Sequence, residues 1–513
     1  MWNREEEPVL PRELVRRFRM DLLAYLPARL IPAAVGLASV IVLTRLFSPE
    51  EFGRYALVLA AGGIIQVALG GWLRECTIRF WPDERAEGRE DALLSTTVVM
   101  ALITAVLPLG ALALVLVVPG ALAEYRPLVP WVGIWVIAGL LYVPLGASLQ
   151  AGLRARRYSL WEAVRAALGL GFGLMYVFLV RRHVAGILMG LAGATVIVAI
   201  LVAHEVRLVP RMRRVRTARK RTKGRPIELL GYGLPLIGWA LGLETLNLAD
   251  RFILSLYHGS TAVGVYASSY YLADGGTALL ILPLLAAVQP LVMHGWSAGR
   301  PEDVQRLVTS ASRVLLLLLL PCLAATAVLA RWVAAIFLDP AYREGYLVLP
   351  LVVAGVGAWG FGQLGQSGLQ LAGRTRTMLA GVAACAAANV VLNLVMVPRW
   401  SYAGAAVATL ISYSLYAPFV YWTSRRLLRW RIPWATMGRG ATAAGVMGLG
   451  LAAVWGGWTT SLALRLALSG LAPVVYVGML VLLRELPRES LARACARLRT
   501  VVGQWTGLRG HGR

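Results

Sequence analysis

Along this chain, runs of about twenty residues that are apolar on every side alternate with short polar breaks, the pattern of membrane-spanning helices. Fourteen such runs can be marked: near Leu22–Phe47, Tyr55–Ile78, Ala92–Val118, Leu128–Leu149, Trp161–Val180, Val184–His204, Ile227–Tyr257, Ala262–Met293, Val314–Phe337, Tyr346–Leu371, Met378–Val397, Tyr402–Trp422, Ala441–Trp458 and Leu462–Leu483. The ten-residue alternation of a membrane β-barrel is absent. One long polar break, rich in Arg and Lys, separates the first six runs from the rest. The reading is an all-α polytopic membrane protein in six parts: a basic N-terminal segment (1–21), an N-lobe of six helices (22–204), a basic linker (205–226), a C-lobe of six helices (227–424), two additional helices (425–484) and a basic tail (485–513).

Polar residues inside the spans are the candidate chemistry, because an ionisable group at bilayer depth costs roughly 2.5–3.5 kcal/mol and so faces protein or water. The seventh span holds Glu244, Asn247, Asp250 and Arg251, and Glu244, Asn247 and Arg251 share one helix face at i, i+3 and i+7. Tyr266, Tyr270 and Asp274 follow at i, i+4 and i+8. Gln363, Gln366 and Gln370 recur at i, i+3 and i+7, and Asn389 and Asn393 at i and i+4. Arg29 lies between Pro27 and Pro32, a charge at a helix break, and Arg74 adjoins Glu75. For Arg29, Glu244, Arg251 and Asp274 a functional role outweighs a structural one. The Asn and Gln stripes read first as hydrogen-bonding glue between helices. Arg74–Glu75 reads equally well as an interfacial pair reaching to water.

The chain also repeats itself. Leu43–Ala60 can be laid beside Leu254–Tyr271, so that Gly53-x-Tyr55-Ala56 falls on Gly264-x-Tyr266-Ala267, each opening a helix after a short turn. A repeat at matching places suits a two-lobed transporter, and Gly and aromatic residues marking helix starts at the membrane interface account for the match equally well.

Composition and charge then narrow the class. Of 513 residues, 58% are hydrophobic and 15% charged. The formal charge of +25 might point to nucleic acid, but 38 of the 51 basic residues fall in the loops and tails of one membrane face. That asymmetry predicts both termini and the Arg207–Arg225 break on the cytoplasmic side, and no nucleic-acid partner. There is no GxxxxGK[ST] loop, HExxH, GxSxG or CxxC, and no cysteine pair with metal-ligand spacing, so no enzyme, cofactor or metal site is expected. Residues 11–25 read as a basic flank or a surface helix rather than a signal peptide.

Four segments carry a family resemblance: LTRLFSPEEFGRYAL from Leu43, LQAGLRARRYSLWEAVRA from Leu149, YGLPLIGWALGLETLNLADRFILSLYHGSTAVGVYA from Tyr232 with its Asp250-Arg251-Phe252 element, and ANVVLNLVMVPRWSYAGAAVATLISY from Ala388. In order and spacing they resemble the polysaccharide flippases, the Wzx-like branch of the multidrug/oligosaccharidyl-lipid/polysaccharide exporter superfamily. The resemblance implies two pseudo-symmetric bundles around a central V-shaped cavity and alternating access. It implies a lipid-linked oligosaccharide cargo, of undecaprenyl-pyrophosphate type, and placement in the cytoplasmic (inner) membrane as a monomer beside polysaccharide polymerase and glycosyltransferases. The polar residues within the spans that would bind such a cargo are Arg29, Arg74, Glu244, Asn247, Arg251, Tyr270, Asp274, Gln366 and Asn393. Arg29 and Arg251 would line a cationic cavity and hold the pyrophosphate. Glu244 and Asp274 would bind a coupling ion, H+ or Na+. A lipid II flippase and a drug/cation antiporter share the fold; a membrane polysaccharide ligase or polymerase shares the span count but needs a large outer loop.

Overall fold

A computed structural model describes residues 27–117, 123–152, 154–217, 225–458 and 461–486. Helices occupy nearly all of these, and no strand occurs among the described residues. Residues 11–25, read as a basic flank or a surface helix, and residues 487–513 of the basic tail lie outside them. In order the spans are α1 (Pro27–Leu46), α2 (Pro49–Ala86), α3 (Glu90–Val117), α4 (Val129–Ala151), α5 (Ala155–Leu179) and α6 (Ala185–Glu205). The run Arg225–Ser297 reverses at Gly259 (φ 75°), so its arms, 225–258 and 260–297, are α7 and α8. After α9 (Pro301–Phe337) and α10 (Pro340–Leu371), the run Thr375–Ser424 reverses at Ser401 into α11 (375–400) and α12 (402–424). Two more, α13 (Trp434–Gly456) and α14 (Ala463–Leu482), close the described chain. Among the described residues, eleven continuous helices are long and apolar enough to cross a membrane. Dividing two of them at Gly259 and Ser401, and adding α1, gives the fourteen expected spans.

Local sequence explains where α2 begins and bends. Ser48 caps it, accepting the Glu51 backbone N–H at 3.3 Å while Glu51 accepts the Ser48 N–H at 3.2 Å, and Pro49 fills the first helical position. Midway, Val67–Gly71 widens into a single π-turn.

One feature of the linker differs from expectation. Leu208–Thr217 is a short helix rather than loop, because Leu208, Met212 and Val215 share one face and rest half-buried against the first bundle. Along one edge of that face it is pinned to α3, with Arg211 3.3 Å and Arg214 3.5 Å from Asp91.

The helices form two bundles, α1–α6 and α7–α12. Within the first, α6 packs on α4 and α5; within the second, the α7–α8 pair packs on α11–α12 and α10. The bundles meet through the repeated motif. A Cβ on Gly53 would lie 1.8 Å from the Ser260 carbonyl oxygen, and one on Gly264 would lie 1.9 Å from the Pro49 carbonyl oxygen. Each glycine thus lets the start of its own helix touch the start of the other. Around this point a continuous apolar cluster runs from Leu43, Phe47 and Phe52 to Leu254, Val263 and Tyr342, and the Tyr342 hydroxyl donates to the Phe47 carbonyl at 2.8 Å. This end, marked by Ser48 and Gly259, is closed. At the other end, marked by Arg85, α2 also touches α7: Gly233 packs on Trp72, and Cys76 Sγ donates to the Leu229 carbonyl at 3.3 Å.

The last pair, α13 and α14, packs against α9 and is fastened by a polar clasp. Buried Glu485 accepts from Arg313 Nε (2.6 Å), Thr436 Oγ1 (2.6 Å) and Arg439 (3.0 Å). Burial works to raise its carboxyl, and these three partners outweigh burial and hold it below the ordinary carboxylate value.

Two predictions follow from these contacts. In a cysteine-free background carrying Ser268→Cys, which is fully buried beneath the glycine contact, Gly53→Val or Gly264→Val should speed maleimide labelling on the order of tenfold, equivalent to a shift of roughly 1.4 kcal/mol toward an open end. Gly63→Val, where a Cβ meets nothing, should not; unchanged labelling in the first two would refute the contact's role. For the clasp, the stability carried by Glu485 is complete above its unfolded value of about 4.3 and is lost as pH falls through its lower folded value. Melting in detergent should therefore show an acid-side loss that Glu485→Gln removes.

Candidate functional site

The polar residues of α7 gather into one buried cluster with α8 and α12. Asp250 and Arg251 are each 1% exposed. The Arg251 guanidinium donates to the Asn247 carbonyl at 2.6 Å and to Asp250 Oδ1 at 3.3 Å. It lies over the rings of Tyr270 and Tyr271, 4.7 and 5.0 Å from their centroids. Asp250 also accepts its neighbour's backbone N–H at 2.8 Å, the Tyr266 hydroxyl, and Thr409 Oγ1 at 3.5 Å. Tyr413 donates to Asn247 Oδ1 at 2.6 Å and meets the Tyr270 hydroxyl at 3.2 Å.

Two carboxylates stand differently. Glu244 and Asp274 are half-buried, feel the positive charge of Arg251, and have no hydrogen-bond partner among the described residues. A carboxylate held at bilayer depth beside a single cation, with its oxygens unclaimed, has the chemistry to take up a proton or a small cation. Arg251 sits seven residues before the end of α7, hence about 10 Å from the Ser48 end.

The remaining predicted residues lie elsewhere. Arg29 is in α1, and its side chain is outside the described residues. Arg74 is in the first bundle, pairing with Glu75 at 2.5 Å and donating to Gln150 at 3.0 Å. Gln366 accepts from Tyr416, and Gln370 from Gln289 at 2.6 Å; these bonds join α10 to α12 and to α8, as glue between helices would. Asn393 behaves otherwise: its amide donates to the Asn389 carbonyl at 2.8 Å and to the Asn389 side chain at 3.0 Å, within α11. The expected cross-helix bond is not made, since i and i+4 place the two amides directly in line.

One expectation is corrected. Arg251 does not line an open cavity in this conformation; it is enclosed by Asp250, Asn247, Tyr270 and Tyr271. Its direct carboxylate partner is the adjacent Asp250. Sequence reasoning set Tyr266 in line with Tyr270 and Asp274 without giving it a role, and it left out Thr409 and Tyr413, whose span gives no hint of which helix it faces. It also left out Tyr142, Glu162 and Arg165 in the first bundle, where the Tyr142 hydroxyl donates to Glu162 at 2.9 Å and Arg165 pairs with Glu162 at 2.7 Å. A signal was present there: Glu162 and Arg165 are opposite charges at i and i+3 inside an apolar run.

Comparison with known proteins agrees with this architecture. The model of the polysaccharide biosynthesis protein family matches residues 21–296, and that of the MatE family matches residues 235–395. An uncharacterized membrane protein of Methanocaldococcus jannaschii is 22% identical over 403 residues, 74% of this chain and 78% of that one. Among solved structures, the lipid II flippase MurJ in an inward closed conformation superimposes with a TM-score of 0.72 at 12% identity, covering 92% of this chain and 99% of its own. An inward-facing multidrug resistance MATE transporter of the MOP superfamily gives 0.62 at 16% identity, covering 80% and 98%. A MOP superfamily transporter from Pyrococcus furiosus gives 0.60 at 14%, covering 83% and 99%. These likenesses establish the fold as that of the superfamily's transporters and flippases.

The buried pair makes a definite prediction. Arg251→Ala leaves Asp250 charged without its partner and should cost about 3–5 kcal/mol, seen as a lower membrane level and a lower melting temperature in detergent. Asp250→Asn combined with Arg251→Leu removes both charges and should recover much of that loss. A double variant no better than Arg251→Ala would show that the pair is not what Arg251 supports.

Proposed function

This chain belongs to the polysaccharide biosynthesis protein family, and from that premise we propose that it is a flippase for a lipid-linked oligosaccharide of undecaprenyl-pyrophosphate type. The observation that carries the reading is the extent of the family match. It takes in α1 with Arg29, α2 with Arg74, and the part of the polar cluster that α7 and α8 supply. The two bundles part and close at their contact and expose the cargo's polar head to each side in turn. Arg29 and Arg251 attract the pyrophosphate, Arg251 once the bundles part and its neighbours loosen. Glu244 and Asp274 bind the coupling ion, H+ or Na+. The excess of basic residues on one face supports a cytoplasmic side for both termini and Leu208–Thr217, with the Ser48 end outside; the membrane is the inner one. The protein works as a monomer beside the glycosyltransferases that build the cargo and the polymerase that consumes it.

The test is made in cells depleted of the protein and complemented with variants. Depletion and Arg29→Ala should both strand lipid-linked oligosaccharide on the cytoplasmic leaflet, at normal Arg29→Ala protein level. In intact cells a cysteine at Arg181 should label from outside and one at Thr217 should not. Accumulation of lipid II instead would move the assignment to peptidoglycan, and normal export in Arg29→Ala would remove that residue from the site.

A further inference from the structure

A second polar site lies in the first bundle, away from the α7–α8 cluster. A cavity of about 150 Å³ opens among α2, α4, α5 and α6, lined by Gln66, Arg74, Tyr142, Tyr158, Glu162 and Arg165 over a floor that includes Gly139. A single water needs only about 10–15 Å³ of such space, so there is room for a small organic group. The fold takes trouble to build it. Gln66 and Arg74 are eight residues apart, and a regular α-helix would set them about 80° apart in projection. The π-turn at Val67–Gly71 inserts one extra residue between them and brings them to within about 20°, onto one face. The Gln66 amide passes directly over Gly139, where a Cβ would lie 1.5 Å from its nitrogen.

The lining has a specific chemistry. Its charges are compensated within the protein: Arg165 pairs with Glu162 at 2.7 Å and Arg74 with Glu75 at 2.5 Å. A phosphate would find no net positive charge there, and a drug cation no spare negative one. What is left over is hydrogen-bonding capacity. The Gln66 amide has no partner among the described residues, and buried Arg165 Nε has none either. Glu162 keeps lone pairs beyond its bonds from Tyr142 and Arg165. Donors and acceptors side by side, with tyrosine rings beside them, match the hydroxyls and C–H faces of a neutral sugar ring. The size admits one ring, not an oligosaccharide. The cavity lies toward the Arg85 end of the bundle, since Arg74 and Tyr158 belong to the parts of α2 and α5 nearest that end.

We propose that this cavity is a saccharide subsite that recognises one sugar residue of the cargo. The proposal rests on the flippase reading above and adds which part of the molecule reads the sugar: the first bundle holds the ring while the carrier's pyrophosphate is held elsewhere.

The full-length protein in lipid nanodiscs decides it, by native mass spectrometry with two probes. These are lipid-linked saccharides extracted from the cells that make the protein, and purified undecaprenyl pyrophosphate without sugar. The wild type should bind the loaded carrier about tenfold more tightly than the bare one, the discrimination expected of the net gain from one or two hydrogen bonds. Gln66→Leu keeps the packing over Gly139 and removes only the amide. It should bring the ratio close to one without changing affinity for the bare carrier, and Glu162→Gln should lower the ratio as well. A ratio that survives both substitutions would show that the cavity holds water only and overturn the subsite. Equal binding of the two probes by the wild type would overturn it too, while leaving the flippase reading intact. Failure of the wild type to bind either probe would instead overturn the flippase reading.

Discussion

The two bundles touch backbone to backbone, and most of what this molecule can do depends on that contact. Gly53 lies on the Ser260 carbonyl and Gly264 on the Pro49 carbonyl, at distances no side chain could occupy. Because both residues open a helix and occupy equivalent places in the repeat, the contact is reciprocal, and the apolar cluster from Leu43 to Tyr342 is organised around it. A joint made of main chain has little freedom to deform, so it is either made or broken. Two discrete arrangements are what a swinging pair of lobes needs. Just below this joint, Asp250 and Arg251 close off the second bundle. Their bonds to Asn247, Tyr266 and Thr409 tie three helices into one rigid wall that would move as a unit.

On the function proposed above, the two polar sites divide the labour in a physically sensible way. The α7–α8 cluster is charged and carries unclaimed carboxylates, so its response to ions is strong. The first-bundle cavity is internally neutralised, so its interactions are short-ranged and directional. A cargo with an anionic middle and a neutral polar head presents both demands at once. Neither kind of site suffices alone: long-range attraction cannot tell one sugar from another, and hydrogen bonds cannot draw a lipid headgroup out of its leaflet.

Much of this was legible in the sequence. All fourteen spans could be read because each is apolar on every side for the thickness of a bilayer, a signal that no tertiary detail overrides. The Gly53 and Gly264 pairing was visible as a repeat, although its meaning as a contact was not. The stripe Glu244–Asn247–Arg251 was correctly placed on one helix face. Its burial was not legible, because helical periodicity says which residues share a face and nothing about what covers them. Tyr270 and Tyr271, which cover Arg251, come from another helix. The π-turn in α2 was beyond reach for a similar reason: Val67-Ala-Leu-Gly-Gly71 is an ordinary apolar stretch, and only the offset between Gln66 and Arg74 shows that a residue has been inserted. Leu208–Thr217 was hidden by its charge, which drew attention from the three apolar residues that seat it.

The clasp at Glu485 alters the mechanics of the whole. It binds α13 and α14 to α9, so the second bundle carries two helices with no counterpart on the first. A membrane is a viscous fluid, and a body's resistance to sliding or tilting in it grows with its footprint. When the joint at Gly53 and Gly264 opens, the torques on the two halves are equal and opposite, but their drag is not. The eight-helix half stays nearer to rest in the frame of the bilayer, and the six-helix half sweeps the larger angle. A sequence that repeats itself thus yields a machine in which one half is closer to a stator and the other to a rotor.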